Sequence, residues 1–364
     1  MTKGANEIFA LRVMCFALSV IIFQAVFLID LNYYYSLGSS YINIPDHEYY
    51  VGVVAGGELL KSLSSLNNYS ISVFYYYAHK VFGVDLVLIS LVVNFVVLIV
   101  AYAKIERMYF SILGRFLPLI YCFALTAVLQ FSVLINKDSF SVLFYVVLLS
   151  FLLTRAKFDI FLILILAPMR IQYVVILVLL CFLSGVSKES RLKVLLRVIL
   201  LYFICSTVSL FLERHGILLS HDNYADGGVS RWISILNANY FIGSYVLNWI
   251  KPVQYIYDLY RGAHFDWSVI GAWVYLSRLT LFFSIILFGY SFFKLVYMPW
   301  TYRRDRVSYS LSILISAFFL VYMISPVVHY RYFLGIAPVV LFSLFYLTEQ
   351  QKNSPKFAFF QGVS

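Results

Sequence analysis

A single arginine lies in the middle of an apolar stretch, Phe158–Gly185, directly after the sequence Ala167-Pro168-Met169. An arginine at membrane depth costs about 2.5–3.5 kcal/mol on insertion scales, so we expect Arg170 to have a buried partner. Its guanidinium group suits the paired oxygen atoms of a phosphate. The alternative is an arginine at the membrane surface that extends its side chain into the headgroup region.

Lys137 and Asp138 are adjacent between two apolar runs. The two side chains could orient each other, or Lys137 could bind a phosphate. The alternative for Asp138 is a structural one, since aspartate favours the N-cap position of a helix.

Two further groups of ionisable residues complete the candidate site. Asp46, in the sequence Pro45-Asp46-His47-Glu48-Tyr49-Tyr50, could act as a general base that deprotonates an acceptor hydroxyl, or it could be a solvated charge. His329-Tyr330-Arg331 begins a late apolar run, where Arg331 could bind an anion or anchor the chain at the membrane surface.

The composition of the chain indicates a membrane protein. Hydrophobic residues make up 62% of the chain, charged residues only 12%, and the mean hydropathy is +0.88. Repeated apolar runs without alternating polar positions predict membrane helices and not a β-barrel. The net charge of +10 follows from basic residues between the runs, which indicates topology and not nucleic acid as a partner. The cysteines, Cys15, Cys122, Cys181 and Cys205, lack the spacing of a disulfide framework or a zinc site.

The apolar runs predict an all-α polytopic membrane protein with about ten transmembrane helices and both termini in the cytoplasm. The predicted spans are Ile8–Ile29, Val84–Ala103, Phe116–Ile135, Ser139–Thr154, the short arms Phe158–Ala167 and Ile171–Gly185, Val194–Leu212, Val269–Val296, Val307–Ser325 and Tyr332–Leu347.

We expect one integral-membrane domain over residues 1–364, with two long segments on the outer side. The first, residues 30–83, contains two amphipathic stretches, Glu48–Leu63 and Ser70–Phe82, which we expect to lie along the membrane surface. The second, residues 213–268, contains a semi-apolar piece, Trp232–Ile250, that fits an interfacial or re-entrant helix. The chain lacks the phosphate-binding glycine loop and the nucleophile elbow of soluble enzymes, which leaves the charged groups at the outer face as the candidate site.

Several of these sequences resemble integral-membrane glycosyltransferases of the GT-C type. The acidic residue and tyrosine in Pro45–Tyr50, followed by a stretch that ends in Phe82-Gly83, resemble their first external loop. Asn136-Lys137-Asp138-Ser139-Phe140 is similar to a Lys-Asp-Ser motif of related polysaccharide proteins, and Arg331-Tyr332-Phe333 with Pro338 to their Arg-Tyr…Pro segment. The length and the large late external loop resemble bacterial O-antigen repeat-unit polymerases of the Wzy type, including the EpsG-like group.

This resemblance implies polymerisation of oligosaccharide repeat units carried on undecaprenyl diphosphate, at the periplasmic face of the bacterial inner membrane. Asp46 or Asp138 would be the catalytic base, and Lys137, Arg170, Tyr173, His329 and Arg331 would bind the diphosphate and glycan. The resemblance implies no metal or other cofactor. The implied partners are lipid-linked glycans, the lipid bilayer and a chain-length regulator protein, and not nucleic acid.

Two other functions use the same features. A GT-C glycosyltransferase that adds one sugar from a polyprenyl-phosphate donor would need much the same residues. A transporter or flippase of lipid-linked glycans would also use a broken helix pair and a polar cavity. Charged residues that gather toward one face, and not at the midplane, favour the polymerase.

Overall fold

A computed structural model describes residues 3–36, 44–57, 66–118, 129, 132–135, 137–184, 191–214, 229–251, 253, 256, 269–297, 305–324 and 332–352. These residues are mostly helical, with no strand among them. The helices are α1 (Lys3–Ser36), α2 (Ile44–Ala55), α3 (Leu66–Phe82), α4 (Leu86–Leu113), α5 (Asp138–Thr154), α6 (Lys157–Leu166), α7 (Ile171–Ser184), α8 (Arg191–Arg214), α9 (Val229–Tyr240), α10 (Gly243–Leu247), α11 (Val269–Phe292), α12 (Arg306–Ile324) and α13 (Tyr332–Lys352).

Four helical segments of the described chain are long and apolar enough to cross a membrane, namely Lys3–Val26, Leu86–Leu113, Arg278–Val296 and Tyr332–Gln350. Four shorter apolar helices are Asp138–Thr154, Ile171–Ser184, Leu195–Phe211 and Arg306–Tyr322. The prediction of an all-helical chain with apolar helices of spanning length is therefore confirmed.

The predicted pair of short arms is confirmed with nearly the expected bounds. α6 and α7 are separated by a 3₁₀ turn, Ala167–Met169, and by Arg170 in an extended conformation. Pro168 lies at the start of this turn, where a backbone N–H donor is not needed and its fixed φ is compatible with the turn. The predicted semi-apolar piece of the late loop is also helical, as α9, α10 and the 3₁₀ turn Asn248–Ile250.

The predicted span Phe116–Ile135 is not one continuous helix. Its first residues, 116–118, are non-helical, and Pro118 lacks the N–H that a helix interior requires. Residues 132–135 form a series of bends that is wholly buried. Irregular backbone at membrane depth is stable only when protein groups satisfy its polar atoms.

The chain divides into two compact units. The first contains residues up to Val174, the segment His264–Ser284 and the segment Phe333–Phe342. Its central element is α5, which packs against α4 and α6 while α4 packs against α1. α5 is apolar on all sides and is buried along almost its whole length, as expected for a helix without a polar face.

The second unit contains Val175–Ala263, Ile285–Tyr332 and Ser343–Ser364. In it, α9 and α10 form a helical hairpin beside α8. The Asn237 side chain accepts from the backbone N–H of Ser244 at 2.9 Å and donates to its hydroxyl at 2.8 Å. Tyr202 of α8 donates to the carbonyl oxygens of Ser244 and Tyr245, both at 3.1 Å, so the turn of the hairpin lies beside the middle of an apolar helix.

Candidate functional site

Arg170 and Asp138 form a buried ion pair in the first unit. Nη2 of Arg170 donates to Oδ1 of Asp138 at 2.8 Å, and the two residues are 5% and 1% exposed. The sequence predicted a buried partner for Arg170, and Asp138 is that partner. The alternative, a surface arginine that extends toward the headgroups, is wrong because the guanidinium group is enclosed by protein.

The geometry of two short helices brings this pair together. Only Arg155 and Ala156 separate α5 from α6, so the helices run antiparallel as neighbours. The 17 residues of α5 rise about 25 Å, and α6 with the 3₁₀ turn returns about 20 Å. Arg170 is consequently level with the first turn of α5, where Asp138 lies.

Asp138 does not occupy the N-cap position of α5. The N-cap position falls on Lys137, which makes no side-chain capping hydrogen bond, and Asp138 is the first helical residue. The N-cap position that was the alternative for Asp138 is therefore occupied by its neighbour, Lys137. The Asp138 carboxylate lies at the amino-terminal end of the helix dipole and bonds to a cation from another segment.

Lys137 contacts the amphipathic segment that precedes α4. Its Nζ lies 6.0 Å from the centre of the Tyr50 ring on α2, within the range of a cation–π contact. Tyr50 is buried and α2 packs against α3, so α2 adjoins the start of α5. Asp46 lies in the first turn of α2, four residues before Tyr50, and its side chain is outside the described part of the structure.

Tyr173 is buried one turn after Arg170. Its ring stacks on Phe144 with centroids 4.1 Å apart, and its hydroxyl contacts the hydroxyl of Ser141. Ser141 lies one turn after Lys137, whose carbonyl oxygen accepts from the serine hydroxyl at 2.9 Å. Tyr173 is therefore anchored on the first two turns of α5.

Four of the predicted site residues thus lie around the start of α5, namely Lys137, Asp138, Arg170 and Tyr173. The two remaining candidates for binding the diphosphate and glycan, His329 and Arg331, lie outside the described residues.

Two hydroxyl groups near the start of α5 are buried without a hydrogen-bond partner among the described residues. They belong to Ser139, next to Asp138, and to Tyr75 of α3. α3 packs against the 3₁₀ turn before Arg170, and its Phe74 meets Phe140 edge-on at 5.9 Å. Burial raises the pKa of the Tyr75 phenol, so it stays neutral and can only donate or accept a hydrogen bond.

A set of polar side chains holds the irregular segment that leads into the site. Asn94 donates to the carbonyl oxygens of Ser132 at 3.0 Å and Leu134 at 2.9 Å. Ser90 donates to that of Val133 at 2.9 Å, and Gln24 of α1 also donates to that of Ser132 at 3.1 Å. These residues are not among the sequence-predicted ones, although a lone amide in an apolar helix is itself an indication of such a role.

A broad apolar groove of about 660 Å³ adjoins the site between α3 and α4. Its lining includes Phe74, Tyr77, Val81, Leu88 and Val92, and none of its described lining residues is charged. Since Phe74 also contacts Phe140, the groove begins close to the first turn of α5.

The comparisons with known proteins give no match: no family model, no curated protein and no solved structure is similar to this chain.

Proposed function

We propose that this protein is a membrane glycosyltransferase that polymerises oligosaccharide repeat units carried on undecaprenyl diphosphate, as in O-antigen biosynthesis. The observation that carries the proposal is the buried Asp138–Arg170 pair beside Lys137 at the amino-terminal end of α5. Lys137, Arg170 and the Asp138 carboxylate together carry one positive charge at the amino-terminal end of a helix dipole. This charge suits a diphosphate leaving group, whose negative charge grows as the glycosidic bond breaks.

Each residue has a distinct part in the proposed reaction. An acceptor hydroxyl attacks the anomeric carbon of the donor glycan, and the bond from that carbon to the diphosphate oxygen breaks. The hydroxyl proton passes to a carboxylate, and the lipid diphosphate leaves with the bonding electron pair. Asp138 already accepts a hydrogen bond from Arg170, so we assign it the role of orienting that guanidinium. We assign the role of catalytic base to Asp46.

The groove between α3 and α4 supports a lipid-linked donor. This apolar groove begins near the proposed diphosphate site and suits the isoprenoid chain of such a carrier. The proposal includes the GT-C-like arrangement of about ten spans, with the site on the periplasmic side of a bacterial inner membrane. A chain-length regulator is the proposed protein partner.

The test is the glycan profile of a deletion strain complemented with variants. We expect the deletion to leave lipid A core carrying a single repeat unit, and wild type to restore the ladder. Lys137→Ala and Arg170→Ala should not restore it, although both proteins are inserted in the membrane. Lys157→Ala, at an exposed lysine in the first turn of α6, is the matched control and should restore a normal ladder.

The same assay separates the other functions. A full-length ladder that lacks one side-branch sugar would identify a single-sugar transferase. Bare core with repeat units that accumulate on the inner leaflet would identify a flippase, which the broken pair of α6 and α7 also suits. Normal ladders from both Lys137→Ala and Arg170→Ala would refute the site assignment.

A further inference from the structure

Arg278 lies within the apolar helix α11, in the part of it that belongs to the first unit, and is not one of the sequence-predicted site residues. It is the tenth residue of α11, nine positions after Val269. At 1.5 Å per residue it is about 13 Å from the start of the helix. This distance places Arg278 about two and a half turns inside α11, where the segment of membrane-spanning length, Arg278–Val296, begins.

The register of α11 places Arg278 at the border between the exposed and the buried side of the helix. Leu279, Phe283, Ile286 and Tyr290 are exposed and form one stripe at spacings of three and four residues. Leu281 and Ile285, three and seven residues after Arg278, are buried. Arg278 therefore lies at the margin of the buried stripe, with its Nη1 buried.

One nitrogen of the Arg278 guanidinium has donor capacity that the described residues leave unused. Its Nη1 is buried and has no hydrogen-bond partner among the described residues, which also give it no ion-pair partner. Buried guanidinium groups are normally paired with an anion or hydrogen-bonded, because the charge is costly to remove from water. Arg170, in contrast, is paired with Asp138.

We propose that Arg278 binds an anionic group of a ligand that enters the first unit, and that this group is a phosphate or a carboxylate. Both present oxygen atoms with the spacing of the guanidinium N–H groups. The two sources are the diphosphate of a lipid carrier and an acidic sugar in the glycan. The choice of these sources rests on the proposed function, whereas the anion site rests on the burial of Nη1.

The test uses the full-length protein purified in detergent and two probes. The probes are geranylgeranyl diphosphate, for the lipid headgroup, and a glucuronate-containing oligosaccharide, for the acidic sugar. We expect Arg278→Gln to weaken binding of at least one probe by about tenfold or more, as the loss of a charge-assisted pair of hydrogen bonds does. Arg278→Lys should retain part of the affinity, since it keeps the charge but not the planar donor pair. Arg231→Gln, at an exposed arginine of α9, is the matched control.

The unfolding temperature without ligand distinguishes a ligand-binding arginine from a structural one, because the two predict opposite changes in the variants. Because a buried guanidinium nitrogen without a hydrogen-bond partner is unfavourable, Arg278→Leu should unfold at the same temperature as wild type or at a higher one. It should also lose the stabilisation that the probe gives to wild type. Lower unfolding temperatures for both Arg278→Leu and Arg278→Gln would show a structural role and overturn the proposal.

The pattern of probes also decides the source of the anion. If Arg278→Gln loses affinity for the diphosphate probe alone, Arg278 binds the lipid headgroup. If it loses affinity for the glucuronate probe alone, Arg278 binds the acidic sugar. Binding of both probes at wild-type affinity by Arg278→Gln would overturn the site. A normal polymer ladder in the deletion strain would refute the proposed function but not the anion site, which the binding data decide separately.

Discussion

Arg170 donates to Asp138 at 2.8 Å across 32 positions of sequence, and both side chains are almost completely removed from solvent. The pair joins the first turn of α5 to the turn between α6 and α7. It therefore fixes the position of the adjacent Lys137 relative to Arg170. The site is an arrangement of charges that the fold holds in place before any ligand binds.

Removing one member of this pair should cost more than removing both. Asp138→Asn leaves a buried guanidinium without its anion, and we expect a loss of about 3–5 kcal/mol in the free energy of unfolding. Replacing both residues by leucine should recover most of this loss, while the glycan ladder stays absent. Thermal unfolding of the detergent-solubilised protein measures the stability. Equal stability of Asp138→Asn and wild type would contradict a buried pair.

Asn94 should control the irregular segment before the site. Asn94→Leu removes two buried hydrogen bonds, to the carbonyl oxygens of Ser132 and Leu134, each worth about 1–3 kcal/mol when the acceptor stays buried. We expect faster hydrogen exchange in a peptide covering residues 129–141 and a shortened ladder.

The matched control for Asn94 is Ser111→Ala, at an exposed hydroxyl near the end of the same helix. It should change neither the exchange rate nor the ladder. If Asn94→Leu exchanged like wild type in this peptide, the side-chain support of the segment would be disproved.

Gly335 should not tolerate a methyl group. A Cβ there would lie 2.6 Å from Cβ of Ser141 and 3.0 Å from the Tyr145 ring, so α13 approaches α5 through a glycine. We expect Gly335→Ala to destabilise the protein by about 1–3 kcal/mol, as overpacking does, and to reduce polymer length because Ser141 is displaced.

Gly289 provides the comparison for Gly335, because it also lies within an apolar helix but has no atom within 4 Å of the position that a methyl group would occupy. Gly289→Ala should leave stability unchanged or raise it by about 0.5–1 kcal/mol. Both variants are compared by thermal unfolding, and similar effects of the two substitutions would be inconsistent with a close contact at Gly335.

The opposite end of the first unit should matter for stability but not for the reaction. There Lys104 pairs with Asp159 at 2.6 Å and Arg12 with Glu106 at 2.5 Å, joining α4 to α6 and α1. Asp159→Asn leaves the partly buried Lys104 without its anion and should lower the unfolding temperature. In cells grown at reduced temperature the polymer ladder should keep its normal length. If Asp159→Asn lost the ladder while its protein level stayed normal, this end of the first unit would have a direct part in the reaction.

The sequence alone determined the class of the fold, because apolar runs of membrane length admit few structures other than helices. It also determined the break between α6 and α7, since Pro168 and a charged residue interrupt an otherwise continuous run. The same local reasoning predicted that Arg170 needs a buried partner. These conclusions depend on properties of neighbouring residues, which a sequence displays directly.

Only the tertiary structure decided which residues meet. That Asp138 binds Arg170 depends on the lengths of α5 and α6 and on the sharp connection between them. The bends at residues 132–135 replace the end of a predicted span, because side chains from α1 and α4 satisfy carbonyl oxygens that a helix would satisfy internally. Contacts between distant segments have no local pattern in the sequence. Hydropathy therefore identified the helices but not the side-chain contacts between them.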